Sequence, residues 1–135
     1  MGLDMFLTRQ CKGNSDPSNV EEIMYWRKAS AILNWFTHNL SSVQKFDKQV
    51  INTKRYEVTQ DELNHLIGDC KRILVFKETP ELIPDYLKPF SHFFFGSTLI
   101  DEYYWWQIES TAERLEMLKS KIDWKNERIE FHIYY

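Results

Sequence analysis

Near the start of the chain Leu3, Met5 and Leu7 alternate with Asp4, Phe6 and Thr8. That two-residue period predicts a strand over 3–9 with one largely apolar face. At the far end Ile129, Phe131, Ile133 and Tyr135 fall on one side of a second such run. Between them the period lengthens: Tyr25, Ala29, Ile32, Leu33, Phe36 and Leu40 recur every three or four positions. This predicts a helix reaching about residue 40. Ser18 stands three residues before Glu21, the spacing of a capping box, and sets the predicted start of that helix.

Residues 55–58 read as a short strand, and Thr59 with Glu62 forms a second capping box. The stripe that follows, Leu63, Leu66, Ile67, Cys70, Ile73 and Leu74, is the most regular in the chain. A long helix is predicted over 99–121, with Thr98 as its cap and Asp101 at its third position. Its inward face would be Tyr104, Ile108, Ala112, Leu115, Leu118 and Ile122. Residues 41–54 read as a polar connection. Pro80, Pro84 and Pro89 forbid a regular helix or an interior strand around them. Three main helices packed on a small antiparallel sheet, which pairs the N- and C-terminal strands, predict an α+β fold. One globular domain would span 1–135.

Composition narrows the function classes. The formal charge is −3 and no run of Lys or Arg exceeds two residues, so the concentrated basic footprint of a DNA or RNA binder is missing. No apolar stretch approaches the roughly 20 residues of a membrane span. The N-terminal residues lack the basic start and apolar run of a signal peptide, so a cytoplasmic protein is expected. Cys11 and Cys70 lie 59 positions apart without a CxxC and read as structural thiols. No HExxH or GxSxG occurs, and His38, His65, His92 and His132 are scattered over the chain, so no catalytic residue, metal or cofactor is expected.

The aromatic fraction of 16% does stand out. Residues 92–106 alone, HFFFGSTLIDEYYWW, hold seven aromatics in fifteen positions around a Gly-Ser-Thr turn. Phe93 and Phe95 would share one face of a strand and Phe94 the other. Tyr104 follows the core stripe, whereas Tyr103, Trp106 and Gln107 point elsewhere and Ser110 continues that line. Half of the cluster is therefore core and half surface. The turn leads into a helix N-terminus, where free N–H groups favour an anion, and Gly96 would let the backbone approach a bound group closely. On the first predicted helix Arg27, Ser30, Asn34 and His38 form one polar stripe at i, i+3, i+7 and i+11. Its donors suit phosphate or carboxylate. A solvated face accounts for such a stripe equally well.

The segments MGLDMFL, YWRKASAILNWF, LIGDCKRIL and FFFGST…DEYYW, in that order, resemble a family of small bacteriophage and prophage proteins. Its members typically begin MGLDMYL. The resemblance covers residues 1 to about 106 and implies a phage accessory protein of the host-takeover or anti-defence type, acting in the host cell cytoplasm. Its matching segments include Trp26, Arg27, Lys28, Trp35, Phe36, Phe95, Gly96, Ser97, Thr98, Asp101 and Tyr103. Two departures bear on activity. Asn34 stands where the family is expected to carry His, and the family's Gly-Asp-Cys-rich turn is missing after Phe36. If that His were catalytic, Asn34 argues against turnover in this chain, while binding tolerates the exchange.

The first functional expectation is non-enzymatic capture of a small nucleotide-like ligand. Arg27 and Lys28 would meet phosphate, Ser97 and Thr98 would donate hydrogen bonds, and the aromatics would stack. The expected site comprises Trp26, Arg27, Lys28, Asn34, His38, Phe95, Gly96, Ser97, Thr98, Asp101, Tyr103 and Trp106. The second is an inhibitor that docks on a host protein through exposed aromatics, and the third a small hydrolase with a dispersed site that uses His38 or another base. Aromatic surfaces of this kind also leave a homo-oligomer open.

Overall fold

The protein is described from a computed structural model, which covers residues 2–14, 16–90 and 98–135. Four strands form one antiparallel sheet: β1 (Asp4–Cys11), β2 (Glu21–Arg27), β3 (Tyr56–Val58) and β4 (Glu127–Tyr134), in the order β2-β1-β4-β3. The N- and C-terminal strands lie side by side at its centre, as expected. Among the described residues four α-helices complete the fold: α1 (Ser30–Asn39), α2 (Ser41–Phe46), α3 (Gln60–Ile73) and α4 (Glu102–Lys119).

Register follows from the alternation. Met5 sits opposite Trp26 and Ile133, and Leu7 opposite Met24 and Phe131, so the sheet's apolar side chains share one face. That face is buried beneath the helices. Phe36 of α1 stacks on Phe131 at 3.9 Å between ring centroids, and meets Trp26 edge-on at 5.8 Å. Trp26 in turn donates its Nε1–H to Thr111 Oγ1 of α4 at 2.8 Å. The capping box at Thr59 and Glu62 forms as predicted. Burial of Leu63, Leu66, Ile67, Cys70 and Ile73 confirms the stripe of α3.

On the opposite face Phe6, Tyr25, His132 and Tyr134 gather. Phe6 stacks on His132 with centroids 5.1 Å apart and touches Tyr25 at 5.2 Å. The turn after β1 folds over the far end of this face. Gln10 Nε2 donates to Asp16 O at 2.9 Å, and Arg128 Nη2 to Gln10 Oε1 at 2.7 Å.

Three local expectations are corrected. Residues 21–27 are a strand, not the first turns of a helix, and Ser18 caps nothing: its own N–H donates to Asp16 Oδ1 at 3.0 Å. Lys28 takes φ 54°, a left-handed conformation that no α-helix passes through, so the helix starts beyond it at Ser30. The polar connection carries α2, seated by buried Val43. In α4 the N-cap is Asp101, whose carboxylate accepts from Tyr104 N–H at 3.1 Å, so Thr98 stands outside the helix and does not cap it.

Candidate ligand-binding groove

Among the described residues β2 is an edge strand, and α4 runs beside it. Where they part, a groove opens on the surface. Its upper cavity, about 240 Å³, is lined by Tyr25, Trp26 and Arg27 from β2 and by Tyr103, Trp106, Ser110 and Arg114 from α4. An adjoining cavity of about 390 Å³ shares Tyr25 and Arg114 and continues to Lys121, with Glu22 on its rim.

The local sequence explains how each side chain arrives there. Strand pairing buries Trp26 and Met24 and turns Tyr25 and Arg27 the other way. On α4 the buried line runs through Tyr104, Gln107, Ile108, Thr111 and Leu115. Trp106, Ser110 and Arg114, spaced by four, therefore share the face beside that line, toward β2. Two hydrogen bonds join the walls: Tyr103 Oη donates to Arg27 O at 2.8 Å, and Gln107 Nε2 to the same oxygen at 3.3 Å. Tyr103 and Trp106 lie nearly parallel, with ring centroids 5.8 Å apart and planes 20° apart.

The polar character of the upper cavity is one-sided. Two arginines are among its lining residues and no Asp or Glu is. Asp4 faces Arg27 across the β1–β2 ladder. Its Oδ1 accepts from Tyr25 Oη at 2.5 Å. That bond, with burial, holds the Tyr25 phenol above its ordinary pKa. An aromatic shelf flanked by two arginines, each with a fixed fork of donors, is chemically matched to a flat molecule carrying phosphate or carboxylate.

Of the expected site residues, Trp26, Arg27, Tyr103 and Trp106 come together in this cavity. Trp26 contributes mainly as core, 5% exposed, with its N–H spent on Thr111. Lys28 and Asp101 lie across Tyr103, in a smaller cavity of about 170 Å³. Asp101 spends its carboxylate on capping α4, and the stem of Lys28 packs beside Gly2. Phe95, Gly96 and Ser97 lie outside the described residues, and so does the expected contact between Arg27 and the Gly96 turn. Thr98 is exposed beyond the helix.

Asn34 and His38 do not belong to the groove. Asn34 Nδ2 donates to Asp85 O at 2.7 Å and to Lys88 O at 3.1 Å, while buried Ser30 Oγ accepts from Phe90 N–H at 3.1 Å. The supposed wet stripe of α1 is thus a clasp that satisfies the backbone of the proline-rich segment, which has no ladder of its own. His38 Nδ1–H donates to Asn34 O within the same helix at 2.8 Å, and His38 is not among the residues that line the groove.

Tyr25 and Arg114 are the site residues that sequence reasoning missed. Tyr25 had been placed on a helical apolar stripe; reading EEIMYWR with a period of two would have turned it outward with Arg27. Arg114 lies one further step of four beyond Ser110 on a line already drawn. Among the described residues no group of three or more His, Cys, Asp or Glu is placed to hold a metal ion, and no helix is long and apolar enough to cross a membrane. No family model, curated protein or solved structure matches this chain.

Proposed function

We propose that the protein is a non-enzymatic binding protein that captures a small, flat, anionic ligand of nucleotide type in the groove between β2 and α4. One observation carries this reading: the upper cavity pairs Arg27 and Arg114 with the Tyr103–Trp106 shelf and has no lining carboxylate, in a chain whose overall charge is −3. In this reading the guanidinium groups meet phosphate, an aromatic face takes the base, and Ser110 and Gln107 supply uncharged hydrogen-bonding groups. The resemblance to phage accessory proteins fits a use for such capture, sequestration of a nucleotide-derived signal in the infected cell.

The test is a thermal-shift screen of the protein against mono-, di- and cyclic nucleotides. A ligand at about a hundred times its dissociation constant stabilises the fold by about 2.7 kcal/mol, several degrees for a domain of this size. The expected result is a shift with at least one nucleotide that disappears in Arg114→Ala and in Arg27→Ala, while each variant keeps a cooperative unfolding transition. No shift with any nucleotide, or a shift indifferent to both variants, would overturn the proposal.

A further inference from the structure

The same side of the molecule is self-complementary, and we propose that it pairs two copies of this chain about a two-fold axis that passes beside Tyr25 and Ser110. The inference does not rest on the ligand reading: the pairing engages Arg27 and Arg114 of the same groove, so the second copy and a bound ligand compete for them.

Consider the strand layer first. Lys28 N–H donates to Leu3 O at 2.7 Å, and in an antiparallel ladder such pairs alternate with unbonded ones. Trp26 and Met24 therefore bond toward β1, and the N–H and C=O of Tyr25 point away from it, along an edge that no other strand among the described residues pairs. A two-fold beside Tyr25 lets it exchange both bonds with Tyr25 of the second copy, which removes the hazard of an unpaired edge. The bulge in β2 then sets the charges. Thr8 faces Glu22, so Ile23 is the extra residue, and Arg27, Tyr25 and Glu22 follow one another on the outer face. Rotation about Tyr25 brings Arg27 opposite Glu22 of the second copy and the reverse, giving two ion pairs from one sequence.

The helix layer repeats the pattern. Rotation about Ser110 brings Trp106 opposite Arg114 of the second copy, a cation–π pair, and Tyr103 opposite Met117, a sulfur–aromatic contact. The residue at the centre, Ser110, is small. The 2.8 Å bond from Trp26, next to Tyr25, to Thr111, next to Ser110, ties the two layers together close to both centres. A shared axis through two independent layers is what an isologous interface requires. It would also cover large apolar side chains that stand open in the single chain: Tyr25 at 40%, Tyr103 at 47%, Trp106 at 56% and Met117 at 66% exposure.

Sedimentation velocity on the full chain tests this over a range of concentrations. The wild type is expected at twice the 16.4 kDa chain mass. Tyr25→Pro removes an N–H that β1 does not use, and should give a folded monomer. Glu22→Arg should weaken association by about tenfold or more. Adding Arg27→Glu should restore association, because it recreates both ion pairs with reversed sign. This charge swap reads the interface even if the proline variant fails to fold. A wild type that stays monomeric at the highest concentration, or a dimer indifferent to Glu22→Arg, would overturn the proposal. So would a failure of the double variant to recover.

Discussion

Asp69 shows how much a single buried group organises. Its carboxylate is 1% exposed, accepts from Trp35 Nε1 at 2.9 Å, pairs with His65 Nε2 at 3.1 Å and meets the Arg72 guanidinium. It fastens α1 to α3 through the largest side chain of the core. Asp69→Ala leaves the buried indole N–H without a partner, and should cost about 1–3 kcal/mol, read as a lower urea midpoint. An unchanged midpoint would mean that the indole bond contributes nothing. His132 gives a pH dependence. Burial, reinforced by the Arg55 charge, lowers its pKa from 6.5 to about 4. As pH falls, the unfolded chain takes the proton first, so stability present above 6.5 drains away as pH falls from 6.5 through 4. The loss is on the order of 2–3 kcal/mol. Urea denaturation at pH 7 and pH 4.5 should show it, and His132→Phe should flatten the slope.

Among the elements, α3 and β2 mark the two ends of legibility. The capping box of α3 and its stripe were plain in the sequence because local hydrogen bonding and burial ask for the same residues there. Thr59→Ala should cost about 1 kcal/mol, measured as a fall in unfolding free energy with an unchanged denaturant slope. In β2 the two signals conflicted. Tyr25 completed a helical spacing with Ala29, and Ser18-x-x-Glu21 imitated a cap. Pairing with β1 and the left-handed Lys28 decided the outcome, and neither is visible in a window of neighbours. The same conflict split the candidate site. Tyr103 and Trp106 were found because each points off a core stripe, whereas Arg27 was reached through a helical polar stripe that its place in β2 dissolves. Asn34 was misassigned because its partners, the carbonyls of Asp85 and Lys88, lie 51 and 54 positions away.

For the molecule as a whole, the sheet keeps one face for the core and the other for the Phe6–His132 cluster. The groove at its β2 edge collects Arg27 and Arg114, with Lys121 further along. A chain with more acids than bases thereby presents a local cationic wall beside aromatic rings, the arrangement on which the ligand proposal depends. Screening should weaken binding as salt rises, since the attraction is between exposed charges. The most direct measurement is an amide and indole NMR titration of the full chain with nucleoside mono- and diphosphates. The prediction is saturable shifts at Tyr25, Arg27, Tyr103, Ser110 and the Trp106 indole, abolished by Arg114→Ala. Spectra that do not move, or that move only at residues remote from the β2–α4 groove, would contradict it.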